Sequence, residues 1–151
     1  RANVPFIVVM GHRGLYSTSN HATDGDVLAA RGALAPLFDK YAVDLVFNGH
    51  DHEYERSAML HANTTDPTQD PTIVQSGGTT YVICAGAGAS PYAVGTSAKP
   101  YSIKQQAFGN STPYVGAYAL LTLSGNTLEM DAYGLKASGT DDVIDTLTLT
   151  H

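Results

Sequence analysis

Apolar stretches divide the first half of the chain into two strands and one helix. Two apolar runs, Val4–Met10 and Val43–Asn48, each end at a glycine and have the length and composition of buried parallel strands. Between them, Asp26–Tyr41 repeats apolar residues at helical spacing, and Pro36 inside this pattern predicts a kink or a fresh start. The order strand, helix, strand predicts a right-handed βαβ crossover.

The second half predicts strands without helices. Thr79–Cys84 is an apolar strand, whereas His61–Gly78 is rich in turn-forming residues and Ser102–Asn110 is irregular. Three short strands near the carboxyl end predict an antiparallel meander that packs on the parallel part. They are Ala117–Leu123, Thr127–Tyr133 and Val143–Thr150. The predicted fold class is therefore α/β with an α+β edge, and residues 1–151 form a single domain segment.

Composition excludes several classes of protein. The 151 residues are 43% apolar and 15% charged, which is typical of a globular domain and not of a disordered chain. The formal net charge of -6 argues against a nucleic-acid partner, because phosphate contacts need a basic face. No stretch is long and apolar enough to predict a membrane span, and no signal peptide is visible.

Histidines follow both predicted strands at the same point. His12 comes directly after the glycine that ends the first strand, and His50 does so after the second. Residues two apart in an extended loop project to the same side, so His52 can face the same point as His50. A lone histidine is more often a surface or core residue. The repeated pattern nevertheless predicts a shared metal site at the carboxyl edge of the sheet.

Polar and charged residues flank these histidines. Residues 13–26 form a polar loop of the length expected over an active site, and it carries His21, which by itself is equally an exposed loop histidine. Arg56 could pair with Glu53 or Glu55 and orient the loop backbone; a solvated charged face is the alternative.

Three further positions bear on modification. Cys84 is the only cysteine, so the chain has no internal disulfide; it packs as a small buried apolar residue or pairs with a cysteine outside this segment. Sequons begin at Asn63 and Asn110, and both would carry glycan in a secreted eukaryotic protein.

The histidine blocks VVMGHR…YS…NH and VDLVFNGHDHEYERS resemble the carboxyl-terminal half of the purple acid phosphatases, which belong to the calcineurin-like metallophosphoesterases. The resemblance covers His12–Ser57 well and is looser beyond Gly78. It implies the carboxyl-terminal half of a β-sandwich flanked by helices, and hydrolysis of phosphate monoesters at acidic pH. A phosphodiesterase or nucleotidase of the same superfamily is an alternative, as is a non-catalytic fragment or interaction domain that retains the fold.

The resemblance also implies roles for individual residues. His12 and His50 would ligate a divalent ion (Zn, Mn or Fe), and His52 would ligate a ferric ion. His21 matches a histidine that contacts the substrate phosphate and protonates the leaving group. The location implied is secreted or vacuolar/lysosomal.

The sequence departs from the family pattern in two ways. Gly14 stands where the family often has proline, and Ala22 stands where plant members often have a second histidine. More importantly, the upstream blocks that supply two aspartates, a tyrosine and an asparagine to the metals do not occur. We therefore expect an amino-terminal segment of the same protein as the partner that carries the remaining ligands. The sequence does not distinguish a monomer from a homodimer.

Overall fold

The computed structural model describes residues 4–95, 98–109 and 111–151. Within these ranges the chain forms two β-sheets and one helix. The elements are, in chain order, β1 (Val8–Met10), α1 (Gly25–Lys40), β2 (Leu45–Asn48), β3 (Tyr54–His61), β4 (Thr72–Ile73), β5 (Thr79–Cys84), β6 (Ser102–Gln106), β7 (Tyr114–Ser124), β8 (Thr127–Lys136) and β9 (Asp141–Thr150).

The first sheet is mixed and the second is antiparallel. The order in the first sheet is β1-β2-β5-β3-β4, with β6 also paired to β3. Strands β1, β2 and β5 run parallel, whereas β3 is antiparallel to its partners. Strands β7, β8 and β9 form the second sheet as a meander. This arrangement confirms the predicted α/β class with its antiparallel edge, and β1-α1-β2 is the predicted crossover.

The molecule is built in layers around the first sheet. One face of this sheet packs against the meander through an apolar cluster that includes Leu45 and Tyr54 from one side and Leu128 and Met130 from the other. The opposite face packs against α1 and the loop that precedes it. The predicted packing of the meander on the parallel part is confirmed.

The helix differs from its prediction in two respects. It runs without a break from Gly25 to Lys40, so the fresh start predicted as one alternative at Pro36 is wrong. The face of the helix that is buried also differs from the predicted apolar face. Arg31 is only 7% exposed, whereas Leu34, an apolar residue, is 41% exposed. Arg31 can be buried because its guanidinium donates hydrogen bonds to three backbone carbonyls. Across the described ranges, no helix has the length and apolar character needed to cross a bilayer.

Two strand predictions also need correction. Strand β1 covers only Val8–Met10, and Met10 is 82% exposed instead of buried, because β1 lies at the edge of the first sheet. The segment predicted to be irregular contains β6, which pairs with β3 over Ser102–Gln106. Because this segment is only partly buried, its composition is polar and gives no hydrophobic pattern that predicts a strand.

Arg56 pairs across the two sheets, so its predicted pairing with Glu53 or Glu55 is wrong. Its guanidinium donates to both carboxylate oxygens of Asp145 on β9, at 2.6 and 2.9 Å, and the Tyr54 hydroxyl donates to the same carboxylate at 2.7 Å. Side chains alternate along β3, which places Tyr54 and Arg56 toward the second sheet and Glu55 on the opposite face.

Candidate metal centre

The tips of β1 and β2 hold two histidines side by side. The strands remain connected beyond their last residues, since the Gly49 amide donates to the His12 carbonyl at 2.9 Å. As a result, His50 Nδ1 lies 3.2 Å from His12 Nε2, and the ring centroids are 5.0 Å apart. The structure therefore brings these two predicted ligands together at the carboxyl edge of the sheet.

The backbone at His50 is unusual. Its φ of +73° lies in the left-handed region, which residues other than glycine seldom adopt. Burial lowers the pKa of His50, and the neighbouring Arg13 guanidinium and His21 and His12 rings lower it further. Arg13 also contacts His50 Nε2 and the Asp26 carboxylate. The left-handed backbone directs the ring toward the histidines of the neighbouring loop.

His21 joins the pair from the loop before α1. Its ring centroid lies 4.2 Å from that of His50, and its Nδ1 lies 2.7 Å from a carboxylate oxygen of Asp24. Ligand atoms of His21, Asp24 and His50 all lie within 4.8 Å of one another. Asp24 occupies the N-cap position of α1, yet its side chain makes no capping bond and contacts His21 instead.

His52 points to a different part of the edge. Its Nδ1 lies 2.6 Å from the Ser90 carbonyl, and its ring stacks on Tyr92 with centroids 4.3 Å apart. Tyr92 is also 5.8 Å from His21, so it lies between the two histidines. Ligating histidines commonly donate one ring nitrogen to a carbonyl, which leaves the other nitrogen for a metal. Sequence reasoning missed Tyr92, because the loop around it carries no charge and no periodic pattern.

Acidic side chains lie directly beneath the histidines. Asp51, Glu53 and Glu55 are all at least 98% buried. The pKa of Glu53 is raised to about 9, first by burial and then by the neighbouring carboxylates of Glu55 and Asp51. The donors that surround Asp51 and Glu55 come from the loop that carries His21.

The donor set suits the predicted metals. Imidazole nitrogens and a carboxylate oxygen are ligands that Zn, Mn and Fe accept. His12, His50, His52 and the nearby Asp24 are too few to complete the coordination of two ions, since each ion needs four or more ligands. These residues therefore fit one part of a dinuclear centre.

Of the modification sites, the first sequon lies in a surface turn beyond the end of β3. The Asn63 side-chain oxygen accepts hydrogen bonds from the Thr65 amide and hydroxyl, at 3.2 and 2.9 Å, in a surface turn. Asn110 lies outside the described residues. Cys84 is a free, half-buried thiol whose pKa burial raises to about 11. Glycosylation at either asparagine stays a prediction.

Comparison with known proteins shows what this chain is similar to. The family model for calcineurin-like phosphoesterases matches residues 1–54. Acid phosphatase A of the fungus Cryphonectria parasitica is 31% identical over 99% of this chain, which covers 27% of that protein. In sequence and fold, the chain resembles the carboxyl-terminal portion of the purple acid phosphatases. The resemblance carried by the two histidine blocks is thereby confirmed.

Two further relatives agree. Purple acid phosphatase 22 of Arabidopsis thaliana is 39% identical over 44% of this chain and 15% of its own length. The structure of a purple acid phosphatase from yellow lupin (Lupinus luteus) seeds superimposes with a TM-score of 0.74 at 24% identity, over 99% of this chain and 26% of the lupin chain. The chain thus spans about a quarter of the length of the lupin and fungal proteins.

Proposed function

We propose that this chain, together with an amino-terminal segment of the same protein, hydrolyses phosphate monoesters at acidic pH with two metal ions, one ferric and one divalent (Zn, Mn or Fe). The observation that carries this proposal is the convergence of His12 and His50, at the tips of two parallel strands, with His21 from the loop before α1. The family relationship supports phosphate ester hydrolysis. The amino-terminal segment would supply the carboxylate ligands that these residues lack.

The histidines have separate roles in this proposal. His12 and His50 would hold the divalent ion, and His52 would hold the ferric ion while its Nδ1 remains with the Ser90 carbonyl. When bound, the two ions supply Lewis acidity to the phosphate oxygens and a hydroxide nucleophile at mild pH.

His21 would act as the proton donor. The Asp24 carboxylate, 2.7 Å from Nδ1, fixes the orientation of the ring, so that Nε2 carries the proton to be transferred. As the bond between phosphorus and the leaving oxygen breaks, that oxygen takes the proton from Nε2 and departs as an alcohol. The transfer starts from the imidazole with a proton on both nitrogens and ends with Nε2 unprotonated.

Replacing His21 with asparagine is expected to lower kcat for an alkyl phosphate by about 100-fold or more, because the leaving alkoxide loses its proton donor. The metal content of the protein that carries both segments should stay unchanged. Steady-state kinetics and metal analysis measure the two quantities. His61→Asn is the matched control, since His61 pairs with Asp39 and lies outside the histidine cluster. Loss of metal from His21→Asn would show instead that His21 is a ligand.

Substrate preference distinguishes the proposed phosphomonoesterase activity from the alternative, a phosphodiesterase activity. We expect p-nitrophenyl phosphate to be hydrolysed faster than bis(p-nitrophenyl) phosphate by the protein with both segments. The reverse preference would favour a diesterase of the same superfamily. A protein that holds two metals but hydrolyses neither ester would indicate a non-catalytic role.

We also propose a secreted or vacuolar/lysosomal location. The acidity of those compartments suits a mechanism with a protonated histidine, and the sequons at Asn63 and Asn110 are consistent with passage through the secretory pathway.

A further inference from the structure

Residues 13–24 form the loop that carries His21, and we call this loop the arm. Part of the arm is buried. Ser17 and Thr18 are only 2% and 6% exposed, although both are polar. Buried polar groups must be hydrogen-bonded, because an unpaired one costs stability. The partners of these two residues therefore show what holds the arm in place.

Asp51 holds the middle of the arm. Its carboxylate accepts a hydrogen bond from the Ser17 hydroxyl at 2.7 Å and another from the backbone amide of His21 at 3.2 Å. Asp51 lies in sequence between His50 and His52, and it is 2% exposed. The same short segment thus presents two histidines outward and one carboxylate inward to the arm.

Glu55 holds the arm one residue further along. Its two carboxylate oxygens accept from the backbone amide of Thr18 at 3.0 Å and from the Thr18 hydroxyl at 3.1 Å. Both oxygens of this buried carboxylate are therefore occupied by donors of a single residue of the arm. Arg31 supports the flanks of the arm by donating to the carbonyls of Leu15 and Ala22, so the two carboxylates act on its centre.

We propose that Asp51 and Glu55 are positioning residues that fix His21 relative to His50, in the segment that follows β2. This inference rests on the proposed role of His21 as proton donor. The two carboxylates join the arm to the segment that carries His50, so the 4.2 Å separation of the two rings is set from inside the protein. A displacement of about 1 Å at a reacting group can cost up to about 100-fold in rate, so this tether affects turnover without touching substrate.

Thr18→Val, in the protein that carries both segments, tests the proposal. It keeps the shape of the side chain but removes the hydroxyl, which donates to Glu55 and accepts from the Gln105 side-chain amide. We expect kcat to fall about tenfold for ethyl phosphate, whose leaving group needs a proton, and by no more than about twofold for p-nitrophenyl phosphate. A purely structural role would lower both rates equally.

Thr79→Val is the matched control. Thr79 is equally buried and donates its hydroxyl to the Val43 carbonyl at 2.8 Å, at the end of β5 away from the histidines. Its substitution removes one buried hydrogen bond and should leave the ratio of the two rates unchanged.

Hydrogen exchange gives a second readout that does not depend on turnover. In Thr18→Val the amide of His21 should exchange at least about fivefold faster than in the parent protein, because an arm that opens more often exposes its amides. Thr79→Val should not change it. If Thr18→Val changed neither the exchange rate of the His21 amide nor the ratio of the two hydrolysis rates, the proposal that Asp51 and Glu55 position His21 would be wrong. If His21→Asn left the rate ratio unchanged, the role proposed for His21 would be wrong, and amide exchange alone would decide the tether.

Discussion

Replacing His50 with asparagine is expected to lower phosphate ester turnover by about 1,000-fold or more, because the proposed function makes His50 a ligand to a catalytic metal, and losing such a ligand removes several kcal/mol of transition-state stabilisation. His50 is the residue that both other histidines of the cluster approach, with ring centroids 5.0 Å from His12 and 4.2 Å from His21. Less divalent metal should be bound as well. Kinetics of the protein with both segments and metal analysis after dialysis measure these effects.

Asparagine is chosen because it tolerates the left-handed backbone that His50 adopts, so the loss can be assigned to the imidazole and not to strain. His61→Asn serves as the control with unchanged turnover and metal content. If His50→Asn kept more than half of the parent activity, His50 would not be a metal ligand.

The second large effect concerns the ion pair between Arg56 and Asp145, which connects the two sheets. Asp145→Asn is expected to lower the free energy of unfolding by about 3 kcal/mol at neutral pH, because it leaves the Arg56 guanidinium facing a neutral group in a largely buried place. The side chains of Arg56 and Asp145 are only 14% and 8% exposed. Urea denaturation of the protein with both segments measures the change. Asp70→Asn, which breaks the exposed pair with Lys99, should cost less than about 1 kcal/mol.

The effect of Asp145→Asn should depend on pH. Burial alone would raise the pKa of Asp145, but hydrogen bonds from Arg56 and Tyr54 outweigh it and lower the pKa. The ionised carboxylate therefore stabilises the folded protein above the pKa of an unfolded aspartate, about 3.9, and this contribution is lost as the pH falls through the lower folded value. The stability difference between the parent and Asp145→Asn should shrink below about pH 4. A difference that is constant from pH 7 to pH 3 would contradict the ion pair.

The repeated pattern of strand, glycine and histidine was sufficient to predict where the histidines gather. Parallel neighbouring strands end at one edge, so His12 and His50 had to meet once both strands were placed. The hydrophobic pattern was less informative about which residues of β1 and of the helix are buried. It predicted a buried β1 and an apolar helix face, whereas Met10 is exposed and Arg31 is buried.

The remaining features could not be predicted because they depend on contacts between distant residues. Asp51 and Ser17 are 34 positions apart, and Arg56 and Asp145 are 89 apart. No local pattern distinguishes an acidic residue that faces solvent from one that receives buried donors. Glu55 therefore looked like a partner for Arg56, although alternation along β3 places the two on opposite faces.

The arm contains both buried residues that hold it in place and exposed residues that are free to vary. Ser17 and Thr18 are fixed by buried carboxylates, whereas Asn20 and Thr23 on either side of His21 are exposed. New side chains can therefore be introduced at those two outer positions while the hydrogen bonds that orient the histidine are kept.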